Sequence, residues 1–502
     1  MSSRDEERAR MLATLETLEA IVEDRTLLAT LDQEERKRLM MAAGRVGLPE
    51  RGEVRKLRKE LRKKRREEAF LADEAVLQET GIRELRRAPV LGAALPPGTP
   101  RPPRELEPEE PPRELREERK CYVCKAAFRE VHHFYDQMCG ACAELNWERR
   151  HRTCDLSGRV ALVTGARVKI GYYAGLKLLR AGARVIVTTR FPRDAAARYA
   201  REEDFASFAD RLEVFGLDLR HTPSVEAFAA HIARTEKRLD FMIHNACQTV
   251  RRPTGFYRHL MEAEHGASVP SEQRALLASY EALAHRSAAL TGAVTKAGGP
   301  VLADSAALSQ VALLPEDHAA DLHLFPEGQL DQDLQQVDLR GRNSWRLRLH
   351  EVPTVELLEV QLVNAIAPFV LNARLRALMA STPGEDKHIV NVSAMEGQFY
   401  RTWKTDKHPH TNMAKAALNM MTRTSAGDYL RDGIHMNSVD TGWITDEDPL
   451  EIAQRKVEEH GFHPPLDVVD GAARIVDPIF DGMITGTHRW GLFLKDYAPI
   501  PW

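Results

Sequence analysis

The sequence predicts an α/β fold: a doubly wound parallel sheet, preceded by a small cysteine-bound module and a charged helical N-terminal region. Three observations carry that prediction. From about residue 156 onward, short apolar runs alternate with amphipathic helical runs, the pattern that puts helices on both faces of a parallel sheet. A glycine-bearing turn, "TGARVKIG" at 164–171, joins the first of those strands to its helix. Two CxxC pairs and a proline-rich tract lie before the sheet. A chain of 502 residues is also too long for one ordinary core.

Residues 1–93 read as charged helices. Met11, Leu15, Leu18 and Val22 recur at alternating spacings of four and three, an apolar stripe suited to a partner helix. Thr30 is the expected N-cap of a second helix ending near Gly44. In "RGEVRKLRKELRKKRREE" the apolar Val54, Leu57 and Leu61 share one face. That helix is either solvated and packed by its narrow stripe, or a tract that follows phosphates or an anionic partner. Nucleic acid is the weaker reading, because the run has no aromatic side chains to stack on bases. Residues 94–115 are a proline-rich linker, since proline removes backbone donors and favours extended chain.

Residues 116–152 contain "CYVCKAAFREVHHFYDQMCGAC". Cys121, Cys124, Cys139 and Cys142 can take the corners of a tetrahedron, which suits a structural Zn²⁺ and compensates for a core too short to stand alone. His132 and His133 would then lie outside a filled shell. The remaining cysteines, Cys154 and Cys247, stand alone. This usage points to a reducing, cytoplasmic setting rather than a disulfide framework. A net charge of −3 argues against an overall nucleic-acid or membrane bias, and no uninterrupted run of eighteen apolar residues predicts a transmembrane span. "MSSRDEERAR" lacks a secretory apolar core.

Residues 153–502 form the large domain. "RVALVTG" is a buried strand, "YYAGLKLLRAG" a helix closed by glycine, and "ARVIVTTR" the second strand. "LEVFGLDL" and "DFMIHNA" are the next two, with the helix "PSVEAFAAHIARTEK" between them. After an insertion at about 250–350, long enough to need structure of its own, come a helix through "VELLEVQLVNAIAPFVLNARLRALM", the strand "HIVNVSA", a helix carrying Lys415, the strand "IHMNSV" and a short "GLFL". Within the insertion "SEQRALLASYEALAHRSAAL" reads as a helix; a lid, an oligomer contact and a partner platform all remain open.

Gly165 and Gly171 let backbone amides approach a pyrophosphate at a helix N-terminus. With "LDL" after the third strand and "HNA" after the fourth, the domain resembles the short-chain dehydrogenase/reductase family, with its Rossmann-type sheet. The family turn reads TGxxxGxG; here Lys169 replaces the middle glycine. The resemblance implies that Thr164, Gly165, Arg167, Lys169, Ile170 and Gly171 hold the cofactor, with Asp218 at the adenine and Asn245 and Ala246 at the fourth strand end. Arg190, with Arg193 nearby, stands where a carboxylate would favour NAD(H), so NADP(H) is expected; the alternative for Arg190 is a plain surface charge.

The resemblance also implies the catalytic set. Ser393 matches the serine, Lys415 the lysine and Asn364 the helix asparagine, whereas Thr411 stands in place of the tyrosine. A threonine hydroxyl is too weak an acid for that role. An extended loop holding Tyr400, His408 and His410 offers substitutes, Tyr400 first and His410 second, expected within reach of Ser393. Gly442, Trp443 and Thr445 are candidates for the cofactor or substrate wall. The implied function is an NADP(H)-dependent oxidoreductase acting on a carbonyl or alcohol with a non-standard proton donor, its small-molecule substrate unassigned and homo-oligomers expected through this domain. The rival is a catalytically inactive nucleotide-binding scaffold that meets protein partners through its zinc module and N-terminal helices.

Overall fold

The computed structural model describes residues 3–87, 113–266, 268–293, 302–318, 322–331, 335–400, 404–445, 447–461 and 463–502. They fall into two compact units, Met1–Asp73 and Glu74–Trp502. The first unit holds α1 (Ser3–Glu23), α2 (Gln33–Gly47) and most of α3 (Arg51–Gln78). The cap of α2 is Asp32 rather than Thr30, which lies in the preceding 3-10 turn. The Asp32 carboxylate accepts from the Glu34 and Glu35 amides, both at 2.8 Å, and Glu35 returns a bond to the Asp32 amide at 3.1 Å; this reciprocal box satisfies more orphan donors than one hydroxyl can. Met11, Leu15 and Val22 are at least half exposed, and so is Leu57 of the basic run, so neither stripe is packed within this unit. Of the proline-rich linker, 94–112 lies outside the described residues.

The second unit opens with α4 (Gly81–Arg87), the antiparallel pair β1 (Arg113–Lys120) and β2 (Ala127–Val131), and α5 (Gly140–His151). The sheet follows, with β3 (Val160–Thr164), α6 (Lys169–Arg180), β4 (Arg184–Thr189), α7 (Pro192–Tyr199), β5 (Leu212–Gly216), α8 (Thr222–Thr235) and β6 (Phe241–His244). The insertion supplies α9 (Arg258–His265), α10 (Ser271–Ala293) and α11 (Ser305–Leu308). Then come α12 (Thr354–Gln361), a π turn at Leu362–Ile366, α13 (Ala367–Ser381), β7 (Lys387–Ser393), α14 (Pro409–Tyr429), β8 (Ile434–Asp440), α15 (Leu450–His460), α16 (Val468–Thr485), β9 (Phe493–Lys495) and β10 (Ala498–Ile500).

The eight-stranded order is β10-β9-β8-β7-β6-β3-β4-β5, parallel except for β9 with β10. Alternate residues of each strand feed opposite cores. Val163, Val187 and Val390 pack with Ile475 and Ile479 of α16, whereas Leu162, Ile186 and Ile389 pack with Phe228 of α8 and Leu371 and Leu375 of α13. Each such fully buried aliphatic contributes about 1.5–3 kcal/mol. One helical run, Thr354–Ser381, is long and apolar enough to cross a membrane by length and composition alone. It escaped the sequence reading because charged and polar residues interrupt it, and Leu371, Leu375 and Met379 are buried in this core.

The insertion covers the β5 edge. Tyr280 of α10 stacks so closely over Gly216 that a Cβ there would lie 2.5 Å from the tyrosine ring. The cysteine module is no free-standing knuckle either. Cys121, Phe134, Tyr135 and Met138 share one apolar cluster with Ile444 and Leu466 of the large domain. The Tyr135 hydroxyl donates to Asp470 at 2.6 Å, buried Arg150 to Asp467 at 2.7 Å and Asp470 at 2.9 Å, and Arg149 to Asp477 at 2.7 Å. The module is therefore bolted to α16.

Candidate active site

The turn between β3 and α6 is built around two obligate glycines. Gly165 has φ +68°, and a Cβ on it would meet Ala246 Cα at 2.7 Å. A Cβ on Gly171 would lie 2.3 Å from Asn245 Nδ2 and 2.4 Å from the Gly165 carbonyl oxygen. Asn245 Nδ2 ties the turn down, donating to the Thr164 and Gly165 carbonyls at 3.2 and 3.1 Å, while the Ala246 amide donates to Thr164 Oγ1 at 3.1 Å. Lys169, at the first position of α6, holds φ +55°. The left-handed turn thus survives the loss of its glycine, at a cost of about 1–2 kcal/mol. Ile170 packs against Gly471 of α16 and the Ile444 cluster. The α6 amides are left to face an anion in the cleft.

Arg190 at the end of β4 borders the same cleft. Its Nη2 donates to the Tyr257 hydroxyl at 2.6 Å, and its guanidinium stands 4.6 Å above the Tyr257 ring, so the insertion holds this arginine in place. Arg167 pairs with Asp194 at 2.6 Å, and Arg193 donates to the Gly266 carbonyl at 2.6 Å. Asp218 is buried; burial pushes its carboxyl up, but the fork of Arg220 outweighs it and keeps it below the usual carboxylate range.

The cleft opens into a cavity of about 1160 Å³ that reaches Ser393, Lys415, Gly442 and Thr445 at its other end. Lys415 Nζ donates to the Val392 carbonyl at 2.7 Å. Asn364 sits in the π turn between α12 and α13, where its side chain accepts from the Gln248 amide at 2.7 Å and donates to the Gln248 carbonyl at 3.1 Å; such a bulge re-aims a helix locally.

Ser393 borders the cavity but spends its hydroxyl elsewhere, and three further candidates, Thr411, His410 and Tyr400, lie away from the wall. Ser393 Oγ donates to Asn419 Oδ1 at 2.6 Å, towards α14, and strand alternation gives the next wall position to Ala394, which has no hydroxyl. Thr411 Oγ1 turns back to the His408 carbonyl at 2.8 Å, because His408 caps α14 in the left-handed region, φ 40°, with its ring stacked 3.8 Å from Trp345 of the insertion. His410 is fully buried with Nε2 3.3 Å from Glu356, and Tyr400 is 47% exposed. No hydrogen bond joins Tyr400 or His410 to Ser393, and neither they nor Thr411 lines the cavity among the described residues. Among the described residues, the extended loop brings neither Tyr400 nor His410 to Ser393.

Two residues were missed. Asp440 pairs in register with Ser393 across β7 and β8, borders the cavity and accepts from the Met395 amide at 3.0 Å. Burial raises its carboxyl, Lys495 opposes this and Glu396 adds to it, leaving it pushed up to about 6. The only sequence signal was an acid beside the lost proline in "SVDTGW". The other is Tyr122, from the cysteine module, whose hydroxyl accepts from the Trp443 amide at 3.0 Å; nothing local announces a contact across 321 residues.

In the module, the sulfurs of Cys121, Cys124, Cys139 and Cys142 all lie within 4.8 Å of one another. A zinc tetrahedron with bonds of about 2.3 Å has edges of about 3.8 Å, so the donor set fits that ion, and the same residues could hold it with little rearrangement.

The family model described as short chain dehydrogenase matches residues 159–264, and that described as Enoyl-(Acyl carrier protein) reductase matches 341–461. An uncharacterized protein of Acanthamoeba polyphaga mimivirus is 31% identical over 373 residues, 72% of this chain and 71% of that protein. Dehydrogenase/reductase SDR family member 13 of Homo sapiens is 43% identical over 94 residues, 18% of this chain, and retinol dehydrogenase 11 of Mus musculus 36% over 109 residues, 21% of this chain. The chain spans only 24% and 34% of the lengths of those two proteins. Among solved structures, a short chain dehydrogenase from Burkholderia cenocepacia in complex with NADP aligns with a TM-score of 0.40 and 16% identity, over 68% of this chain and 96% of that one.

Proposed function

We propose that the chain, whose residues 159–264 match the short chain dehydrogenase model, is an NADP(H)-dependent oxidoreductase of that family acting on a carbonyl or alcohol, with Asp440 rather than a phenol as proton donor. The observation that carries this reading is the single cavity running from Gly165 and Arg190 to Lys415 and Asp440. Bound NADPH would supply a hydride. The Gly165–Gly171 turn and the α6 amides would seat the pyrophosphate, and Arg190, held by Tyr257, the 2′-phosphate. Asp440, still partly protonated near pH 6, gives a proton to the substrate oxygen, while Lys415 contributes positive charge beside it. Titration with NADPH and NADH tests the cofactor: Arg190→Asp should weaken NADPH at least tenfold and NADH little, and equal losses reject the assignment.

A second reading, a nucleotide-binding scaffold without turnover, is favoured by the hydroxyls of Ser393 and Thr411 being turned to Asn419 and His408, and by Ala394 at the wall. NADPH consumption with any of a panel of aldehydes and ketones decides between the two. The four cysteines are proposed to hold one structural Zn²⁺, and the free thiols suit a reducing compartment such as the cytoplasm. Homo-oligomers through this domain are supported by Phe369, Met413 and Met420, each more than half exposed on α13 and α14; sedimentation as a monomer at micromolar concentration rejects them. A protein partner for the N-terminal helices is supported by the bare stripe of Met11, Leu15 and Val22.

A further inference from the structure

We infer that the four-cysteine module, once metal-bound, positions the Gly442–Thr445 turn for the nicotinamide half of the cofactor, so that metal occupancy and cofactor affinity are linked. This rests on the nucleotide and zinc readings above. Two separate routes run from the sulfur cluster to the turn. The first starts at Tyr122, the residue after Cys121. Its hydroxyl accepts the Trp443 amide at 3.0 Å and crowds Gly442, φ +80°, where a Cβ would lie 3.2 Å from that oxygen. The second starts at Cys142, whose carbonyl accepts from Asn146 Nδ2 at 2.7 Å. Asn146 Oδ1 accepts from the buried Arg474 at 2.9 Å, and Arg474 donates onward to the Thr441 carbonyl at 3.2 Å. Ile444 completes the link by lying in the module's own apolar core with Cys121 and Tyr135.

The direction of the linkage follows from where the turn lies. The pyrophosphate cradle is at β3, and Arg190 and Asp218 mark the adenosine side over β4 and β5. A dinucleotide laid across the switch point therefore extends its other half over β6, β7 and β8, which is where Trp443 and Thr445 border the cavity. Tyr135, Arg149 and Arg150 keep the body of the module on α16 without the metal, but the Cys121–Cys124 and Cys139–Cys142 turns, which the ion would cross-link, lose their order with it. Tyr122 and Asn146 would then no longer fix the turn, while the adenosine side stays untouched. The coupling is reciprocal: whatever factor the metal gives to cofactor affinity, the cofactor gives to metal retention. Tyr122 and Asn146 are thus positioning residues, acting through the backbone of the turn.

The test uses the full chain, NADPH, and 2′,5′-ADP as the adenosine half alone. Stripping the metal with a chelator should weaken NADPH tenfold or more and leave 2′,5′-ADP within twofold, and saturating NADPH, but not 2′,5′-ADP, should slow metal release. Tyr122→Phe keeps the ring and the metal but removes the acceptor. It should retain one zinc per chain, lose three- to tenfold in NADPH affinity, reduce the blue shift of bound NADPH fluorescence, and bind 2′,5′-ADP normally. Equal losses of both ligands would mean general unfolding and overturn the inference, as would unchanged NADPH affinity in both the stripped protein and Tyr122→Phe. Protein that carries no metal as purified rejects the zinc reading and the linkage together, leaving Tyr122→Phe to judge the turn alone. Failure of the wild type to bind 2′,5′-ADP rejects the nucleotide reading itself.

Discussion

At the scale of single residues, Asp440 carries the sharpest consequences. Its carboxyl is raised from 3.8 to about 6 in the fold, so the native state holds the proton more tightly than the unfolded chain. Stability contributed by that proton is present at low pH and is lost as pH rises through about 4 to 6, with the penalty constant above. Asp440→Asn should therefore stabilise the protein by about 1–3 kcal/mol at pH 8 and by almost nothing at pH 3.5; melting curves giving the same gain at both pH values would reject the shift. If Asp440 is the acid, the same variant cuts reduction by about two to four orders of magnitude, and the wild-type rate falls as pH climbs above about 6. Tyr400→Phe should leave turnover within twofold, since the side chain is half exposed and unbonded to the site. Thr411→Ala should cost only about 0.5–1.5 kcal/mol of stability for its bond to His408. A hundredfold rate loss in either would return the proton to the loop.

At the scale of elements, the β3–α6 turn distinguishes glycine that is needed from glycine that is replaceable. Gly171→Ala should abolish NADPH binding and destabilise by about 1–3 kcal/mol, because the methyl has backbone on one side and Asn245 on the other. Lys169→Gly should instead keep or raise the melting temperature, because it relieves φ +55°, while weakening NADPH if the ammonium reaches a phosphate. Calorimetry and titration on the pair separate the two demands. The strands were legible because their apolar runs are continuous, and Gly165, Gly171, Asn245 and Lys415 because they sit at fixed offsets from those runs. Ser393 borders the cavity as expected, but the direction of its hydroxyl, bonded to Asn419, depends on packing against α14 that the strand pattern does not show. Asp440 was invisible because its chemistry comes from burial and from Glu396 and Lys495, which the chain brings in from other segments.

At the scale of the whole molecule, the division into Met1–Asp73 and Glu74–Trp502 puts the cysteine module in one unit with the parallel sheet. Sequence could not show that, since the bonds that attach it run between residues more than three hundred positions apart. The face of the module that carries Tyr135 waits for Asp470, 335 residues later in the chain. At a synthesis rate of about 5–20 residues per second, that wait lasts roughly 20 to 70 s. During it the nascent module is covered only by Leu77, Ile82 and Arg83 from the helices before it, and an ion held by its sulfurs, as proposed above, would add the main further stabilisation within reach. If the cysteines hold zinc as proposed, its scarcity during translation would lower how much protein matures, and the shortfall would show as ribosome-associated or aggregated chain rather than as mature protein lacking its ion.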